Sequence, residues 1–280
     1  GSTNTYKRFS GGRGGFVNAG SAKGLQMVSA TLIVLEETPN WETDVGGRGD
    51  PVGQLRKRQI GWELAGAKEL HNSTPGIKGS CPITRDFDAG DQRRLYHPCP
   101  HCGDYLRLDY KQLQGLVDGR GATPDPHFVC PSCFGRIEHR HKPALVRAGV
   151  WIPTFVSERS DNPAPAWWFK AGELDAWRAR DVEGRQPSYH LWQIVSPSVD
   201  WAYIAEQHRD AQLGDQAAKT VFSQQILGEA VEVVVTGVQV DALLGAREQL
   251  LARDQVPEGA YLLTGSVDLN GSFASWAVWA

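Results

Sequence analysis

The chain has 280 residues and a mass of 30.7 kDa, a length that suits roughly one to three domains. Hydrophobic residues make up 41% and charged residues 22%, which excludes a disordered chain. The 29 basic and 32 acidic side chains exclude a protein that is basic throughout. No segment approaches the roughly 18 consecutive apolar residues of a membrane helix, and the polar first ten residues hold no secretory signal.

Charge is distributed unevenly along the chain. Residues 1–150 carry 20 basic and 15 acidic side chains, whereas residues 151–280 carry 9 basic and 17 acidic. A mildly basic first half is consistent with a surface that contacts phosphate groups, and equally with ordinary variation in surface charge. Both interpretations stay open at this point.

The first strong element is the apolar run at residues 30–35. A continuous run of this length, rich in β-branched residues, predicts a strand buried on both faces, as in a parallel sheet. Residues 52–66 place apolar side chains among Arg and Lys and predict a helix, and residues 67–72 predict a second strand. Alternating strands and helices predict an α/β sheet.

Polar residues follow both predicted strands. Glu36 and Glu37 follow the first strand, and Ser73 and Thr74 follow the second. Ligands of open α/β sheets bind at the carboxyl ends of the strands, where one acid holds Mg²⁺ and a neighbouring Glu polarises the attacking water of a nucleotide hydrolase. Small hydroxyl residues at the next strand end are suited to sensing a terminal phosphate. The simpler alternatives are two solvated acids and an ordinary turn.

Four of the five cysteines form two C-x-x-C pairs. Cys99 and Cys102 form the first pair and Cys130 and Cys133 the second, with 27 residues between the pairs, while Cys81 stands alone. Two such pairs complete a tetrahedral site with four thiolates and leave no open position, so we expect a structural Zn²⁺ without a catalytic role. The alternative is two separate redox dithiols, but redox motifs do not occur in pairs. The odd number of cysteines is not that of a secreted disulfide framework.

Histidines and basic residues surround these cysteines. Either they replace a zinc ligand or contact phosphate, or they form the solvated surface of the zinc unit, and we expect the latter. The residues concerned are His97, His101, His127, His139, His141, Arg136, Arg140 and Lys142.

The second half of the chain predicts helices and then strands. Trp201, Ile204, Ala205 and His208 recur at helical spacing within a helix-rich stretch at 200–228. A strand at 231–240 and a polar helix at 241–253 follow. Residues 261–269 predict a strand that carries Asp268, and the apolar residues after Ser272 predict its hairpin partner. An acid on a central strand is a common ligand of a two-metal nuclease site, although a single Asp proves nothing.

Taken in this order, the motifs resemble those of the large terminase subunit of tailed bacteriophages, in the lambda-like branch. The resemblance runs from about residue 5 to the end of the chain, and it is the ordered series that is specific. The matching segments are Phe9 to Gly12, Ala19 to Ser21, Leu32 to Glu37, Gly49 to Pro51 with Arg56 and Arg58, Ser73 to Pro75, the two cysteine pairs, Gly149 to Trp151, Tyr189 to Pro197, Trp201, and Thr264 to Asn270.

The resemblance implies a motor that uses ATP to move viral DNA through a portal into an empty capsid and an endonuclease that cuts concatemeric DNA. By the same resemblance Glu36 binds Mg²⁺, Glu37 is the catalytic carboxylate, Ser73 and Thr74 couple hydrolysis to movement, and Asp268 is one nuclease metal ligand. Implied partners are double-stranded viral DNA, the small terminase subunit and the portal of the procapsid. The implied location is the cytoplasm of the bacterial host, without a membrane partner.

The resemblance also implies a fold class and a domain organisation. It predicts an α/β protein with part of a P-loop-type ATPase sheet, an inserted zinc ribbon and the first strands of an RNase H-like nuclease domain. The expected boundaries are 1–95 for the C-terminal part of the ATPase core, 96–142 for the ribbon, 143–258 for a linker or helical region, and 259–280 for the start of the nuclease.

Three features depart from the family pattern. The family usually has Asp where this chain has Glu36, no G-x-x-x-x-G-K-[ST] motif is present, and only 12 residues follow Asp268. We therefore expect an internal piece of a longer protein, or a decayed prophage remnant, that alone neither hydrolyses ATP nor cuts DNA. Two alternatives stay open: a non-catalytic zinc-ribbon module for nucleic-acid binding or assembly, and a purely structural zinc protein that binds other proteins.

Overall fold

A computed structural model describes residues 5–27, 29–117, 123–157 and 163–232, together with the backbone of residues 264–270 and 273–279. The chain divides into two compact units, residues 1–233 and 234–280, which are described separately. The helix predicted at 241–253 and most of the strand predicted at 231–240 lie outside the described residues. None of the helices within those ranges has the length and apolar character needed to cross a membrane.

Helices and strands are short and mixed along the first unit. The helices are α1 Ala22–Met27, α2 Pro51–Gln59, α3 Pro82–Ala89, α4 Lys142–Ala148, α5 Leu174–Arg178, α6 Trp201–Leu213 and α7 Gln216–Val221, and a π-helical turn, Phe222–Ile226, continues α7. The strands of this unit are β1 Tyr6–Phe9, β2 Gly12–Gly15, β3 Leu32–Glu36, β4 Lys68–Asn72, β5 Arg94–Pro98, β6 Tyr105–Arg107, β7 His127–Val129, β8 Arg136–Glu138, β9 Val150–Ile152 and β10 Trp168–Phe169.

The two strands predicted at 30–35 and 67–72 form a parallel pair. Strand β3 lies alongside β4, with Leu32 opposite Lys68 and Glu36 opposite Asn72. The prediction that the first strand is buried on both faces is wrong for the described residues. Its side chains alternate, because one face packs on α1 and α2 while Val34 on the other face is 48% exposed.

Helix α2 confirms the helix predicted between residues 52 and 66, although the second half of that range is a 3₁₀ helix and not an α-helix. The Asp50 carboxylate caps the helix by accepting hydrogen bonds from the backbone N–H groups of Val52 and Gly53, and Pro51 occupies the first turn. After Gln59 the chain continues as a 3₁₀ helix and ends at Gly66, whose φ of 75° favours glycine.

The cysteine-rich segment, residues 96–142, contributes to two small antiparallel sheets, and strands β9 and β10 of the following residues complete the first of them. One contains strands in the order β10-β6-β5-β9, and the other is the hairpin β7-β8. The first sheet has a small buried cluster of its own, formed by Tyr96, Ile152 and Phe169. Leu106, Phe128 and Ile137 share one buried cluster with Trp201 and Ile204 of α6, and the Phe128 and Trp201 rings meet edge to face at 5.3 Å. The cysteine-rich segment and α6 therefore pack as one body.

Helix α6 confirms the helical spacing at 201–208. Its N-terminus is capped by the Asp200 carboxylate, which accepts a hydrogen bond from the Ala202 N–H at 2.8 Å. The four residues singled out by their spacing, Trp201, Ile204, Ala205 and His208, are all buried.

The second unit contains an antiparallel hairpin. Strand β11, Thr264–Asn270, pairs with β12, Phe273–Trp279, with Asp268 opposite Ser275. The hairpin predicted for the end of the chain is confirmed.

Candidate active site and metal centre

The carboxyl ends of β3 and β4 bring the predicted acidic and hydroxyl residues together. The Asn72 side-chain amide donates to the Glu36 carboxylate at 3.0 Å, and the Thr74 hydroxyl donates to the Glu37 carboxylate at 3.2 Å. Parallel pairing brings these ends to one edge, where the Glu37 N–H also donates to the Asn72 carbonyl. Ser73 points elsewhere, because its hydroxyl donates to the Thr74 carbonyl at 2.7 Å. We call Glu36, Glu37, Asn72 and Thr74 the acidic edge.

The backbone at Glu37 adopts a left-handed conformation. Its φ is 55° and its ψ is 39°, values that cost energy in a non-glycine residue and cluster at functional sites. The next residue, Thr38, is 2% exposed and starts a short 3₁₀ turn. The strand thus ends in a sharp turn that aims the Glu37 side chain toward Thr74.

A hydrogen-bonded network contacts this turn through Thr38. The Thr38 hydroxyl lies 2.5 Å from His71 Nε2, and His71 Nδ1 lies 2.7 Å from the Asp86 carboxylate. Arg56 of α2 contacts the same Asp86 oxygen at 2.9 Å and Glu69 at 2.6 Å. His71 and Arg56 hold the pKa of Asp86 below its usual range, against the effect of burial. The network joins α2, α3 and β4 to the residue that follows Glu37.

Glu69, His71 and Asp86 bring their ligand atoms within 4.8 Å of one another, as a metal site would. The Arg56 guanidinium already lies between the two carboxylates and supplies the positive charge there. We therefore interpret this group as an ion-pair network.

The four predicted zinc ligands meet at one point. The sulfur atoms of Cys99, Cys102, Cys130 and Cys133 all lie within 4.8 Å of one another, and two of the separations, Cys99 to Cys133 and Cys102 to Cys130, are 3.8 Å. A tetrahedron with Zn–S bonds of about 2.3 Å has edges of about 3.8 Å. The cluster thus fits a tetrahedral metal, and the first cysteine of each pair is buried while the second is exposed.

The two knuckles have the same backbone geometry. Gly103 donates its N–H to the Cys99 carbonyl at 2.9 Å, and Phe134 does the same to Cys130 at 2.9 Å. Both residues have positive φ, 84° and 58°. Gly103 directly follows Cys102, whereas Gly135 follows Cys133 after one intervening residue. A backbone hydrogen bond from Gly135 lowers the pKa of Cys133 to about 7. Burial raises the pKa of Cys99 to about 12.

None of the five nearby histidines replaces a thiolate. His101 contacts the Arg136 carbonyl at 2.8 Å across the knuckles, and His141 accepts the Glu138 N–H at 3.0 Å. The expectation of solvated surface is wrong for His97, which is 1% exposed and contacts the Leu145 carbonyl at 2.9 Å.

The basic residues of the cysteine-rich segment are largely neutralised locally. Arg136 pairs with Asp125 and Glu138, and Arg140 pairs with Glu138 at 2.8 Å. Lys142 is buried and donates to the Val199 carbonyl at 2.5 Å. Little of this positive charge is free to meet phosphate groups.

Asp104 lies beside the cysteine cluster, and the sequence pattern does not single it out. Its carboxylate accepts hydrogen bonds from Ser132 at 2.6 Å, from Lys170 at 3.0 Å and from the Ala171 N–H at 2.9 Å. These contacts lower its pKa to about 2, with the Ser132 hydroxyl the largest cause. They join the two knuckles to β10, and only its position directly after Gly103 could have drawn attention to it.

Asp268 lies on β11 of the second unit. The acidic edge and the cysteine cluster lie in the first unit.

His190 predicts an acid sensitivity of the first unit. Its ring nitrogen Nε2 lies 3.1 Å from the Gly228 carbonyl, and burial, with help from Arg94, lowers its pKa to about 4. An unfolded histidine has a pKa of about 6.5, so the unfolded state takes up the proton first as the pH falls. Stability that is present above pH 6.5 is therefore lost between about pH 6.5 and 4, by about 2 to 3 kcal/mol at pH 4.5.

The check is the free energy of unfolding at pH 7 and pH 4.5 for the wild type and for His190→Gln, which keeps an N–H donor but does not titrate. The variant is expected to lose about 2 kcal/mol less on acidification. Acid release of a bound metal affects both proteins alike. Identical pH profiles would contradict the assignment.

Two family models match the chain. One, described as phage terminase large subunit gpA, ATPase domain, matches residues 1–151, and the other, described as terminase large subunit gpA, endonuclease domain, matches residues 186–280. Among curated proteins, the chain is 29% identical over 292 residues to the large terminase subunit of Enterobacteria phage P21 and 25% identical over 285 residues to that of Escherichia phage lambda. Each alignment covers 99% of this chain and 42% of the relative, so the chain spans about two fifths of their length. No solved structure gives a significant match.

Proposed function

The chain belongs to the gpA family of phage terminase large subunits, and from this premise we propose that it is part of a viral DNA-packaging motor and endonuclease. The chain would contribute three parts of that protein: the carboxylates and hydroxyls at the strand ends of an ATP-hydrolysing site, a structural zinc ribbon, and the first strands of the nuclease domain. The proposed substrates and partners are ATP, double-stranded viral DNA, the small terminase subunit and the portal of the procapsid. The proposed place of action is the cytoplasm of the infected bacterium.

The observation that carries the ATPase assignment is the hydrogen bond of 3.2 Å between Thr74 and Glu37. It joins the carboxylate that would polarise the attacking water to the segment that would sense the terminal phosphate. A change at Thr74 would then alter the orientation of Glu37, and a change at Glu37 would be felt at Thr74. A change at Ser73 would act through Thr74, whose carbonyl accepts the Ser73 hydroxyl. This is a direct route for coupling hydrolysis to movement.

The acidic edge has suitable donors for Mg²⁺. This ion prefers oxygen ligands, and the edge offers the carboxylates of Glu36 and Glu37 and the amide oxygen of Asn72. Bound there, Mg²⁺ would neutralise charge on the phosphates of ATP. Glu36 would hold the ion, and Asn72 would orient Glu36. Phosphate-binding residues are outside this proposal, because the chain has no G-x-x-x-x-G-K-[ST] motif.

The proposed zinc ribbon is structural. Four thiolates complete the coordination of Zn²⁺ and leave no position for a substrate. Because the ribbon and α6 share a buried cluster, zinc would stabilise both. The domain limits of 1–95, 96–142, 143–258 and 259–280 stay predictions, and we note that the matched endonuclease model begins at 186.

Asp268 is proposed as one metal ligand of an RNase H-like nuclease site. Its place on a seven-residue strand of the second unit supports this role. Nucleases of this kind use several strand-borne acids around two metal ions.

The alternative of a non-catalytic module that binds nucleic acid through the ribbon has less support. Arg136 and Arg140 are engaged by neighbouring carboxylates, and Lys142 is buried. Affinity for phosphates needs cations that are free to replace counterions.

We expect no ATP turnover from the 280-residue chain. In a version lengthened before residue 1 to include a phosphate-binding loop, we expect turnover, and Glu37→Gln should lower kcat by about 100-fold or more because it removes a general base. The measurement is steady-state release of phosphate. Glu42→Gln, a change at an exposed acid of the following loop, is the matched control and should leave kcat unchanged.

Turnover by the 280-residue chain that Glu37→Gln abolishes would show that the acidic edge needs no phosphate-binding loop. Full activity of the lengthened Glu37→Gln variant would remove Glu37 from catalysis.

A further inference from the structure

A cleft of about 730 Å³ opens in the first unit, away from the metal centre. Its walls come from the loop at 73–78, from α3, from residues 189–196 and from residues 224–230. Its volume falls within the range of about 300 to 1,000 Å³ that small-molecule sites occupy. Of the acidic edge, Thr74 lines the cleft, whereas Glu36 and Glu37 do not.

Arg94 of β5 lies in the wall of this cleft without a partner for its charge. Among the described residues its guanidinium forms no hydrogen bond or ion pair, and its contact is the face of the Phe87 ring, 5.2 Å away. Asp109 and Glu229 act on it only from a distance, whereas burial and the neighbouring Arg107 lower its pKa. A partly buried guanidinium without a counter-charge is unfavourable, and an anion bound beside it would offset that cost.

The other charges at the cleft limit what that anion can be. Lys78 is paired with Glu232 at 2.7 Å, and the carboxylates of Asp88 and Glu229 also line the cleft. Arg107, behind Arg94, is paired with Asp109 at 2.9 Å. Counting only the residues that the structure describes, the cleft offers one free cation among acids, which suits a ligand with a single phosphate group and repels a polyanion.

Aromatic side chains supply the rest of the site. Phe87, Tyr189 and Trp192 line the same cleft, and the Trp192 indole is held in place by a 2.8 Å hydrogen bond to the Leu108 carbonyl. A fixed aromatic wall beside a guanidinium is suited to a ligand that combines a planar ring with a phosphate.

We propose that this cleft binds a small phosphate ester with a planar ring, of the nucleotide class, and that Arg94 pairs with its phosphate. The proposal does not depend on the ATPase assignment, because it uses none of the acidic-edge carboxylates. Since Ser73 and Thr74 also line the cleft, an occupant would touch the segment that contacts Glu37.

The test is calorimetric titration of the 280-residue chain with AMP, with adenosine and with inorganic phosphate. We expect AMP to bind with one site per chain, at least tenfold more tightly than adenosine. Arg94→Met should weaken AMP binding by tenfold or more, and Arg94→Lys by less, because lysine keeps the charge but loses the two-pronged geometry. The matched control is Arg147→Met, a change at an exposed arginine of α4 that should leave the affinity unchanged.

Thermal unfolding and far-ultraviolet circular dichroism of each variant report whether it folds. If Arg94→Met does not fold, the AMP affinity of Arg94→Lys and the comparison of AMP with adenosine test whether Arg94 binds the phosphate. The proposal is overturned if millimolar AMP does not bind to the wild type, if adenosine binds as well as AMP, or if the folded Arg94 variants bind AMP like the wild type. Binding of a 12-nucleotide single strand without binding of AMP would also overturn it, in favour of a polyanion surface.

Discussion

Removal of zinc is expected to unfold the cysteine-rich segment and to loosen α6 with it. Purified protein should contain one zinc per chain, and a chelator or Cys99→Ser should abolish this content. Structural zinc contributes roughly 10 kcal/mol or more to the folding of small zinc modules, and breaking a site with four thiolates forfeits most of that free energy. Because Phe128 packs on Trp201, the loss should extend beyond residues 96–142.

The measurements are zinc content by mass spectrometry, the near-ultraviolet dichroism of tryptophan and the midpoint of thermal unfolding. Cys81→Ser is the matched control, because this buried thiol accepts a hydrogen bond from the Gly76 N–H and lies outside the cysteine cluster. It should keep the zinc. A Cys99→Ser protein with unchanged zinc content and melting temperature would contradict the metal assignment.

The features that the sequence could predict are those that depend on near neighbours in the chain. The pattern C-x-x-C makes both sulfurs of a pair face one point, so Cys99 and Cys130 could be assigned without knowledge of the fold. Likewise, the spacing of Trp201 and Ile204 places them on one face of a helix, and both are buried.

The contact between Glu37 and Thr74 could be predicted from the sequence less directly, through the expected parallel pairing of the two strands. Two strands that run parallel must end at the same edge, and the residues that follow them become neighbours. Spacing could not reveal the left-handed turn at Glu37 or the contact between Thr38 and His71, because that contact depends on how the two strands pair.

Long-range contacts account for what the sequence did not predict. Arg94 and His190 are separated by nearly a hundred residues and share the wall of one cleft, and no local pattern relates them. The prediction that strand β3 is buried on both faces is wrong for a related reason. A continuous apolar run shows that both faces are fit for burial, but the described residues cover only one of them.

Trp201→Ala is expected to be among the most destabilising single substitutions in the first unit. The side chain is fully buried, its indole N–H donates to the Ile194 carbonyl at 3.0 Å, and its ring meets Phe128 of the cysteine-rich segment. Truncation of such a residue leaves a cavity and an unpaired carbonyl, and costs about 3 to 5 kcal/mol. The free energy of unfolding in denaturant measures the loss.

The same variant tests whether the cysteine-rich segment and α6 unfold cooperatively. If they do, Trp201→Ala should also speed the loss of zinc to a chelator, although the four cysteines are intact. The comparison is Trp62→Ala, which removes a tryptophan that is 39% exposed and donates to Ser29 at 2.7 Å outside this cluster. It should cost about 1 kcal/mol or less and leave zinc release unchanged. A Trp201→Ala protein that releases zinc at the wild-type rate would mean that the cysteine-rich segment folds independently of α6.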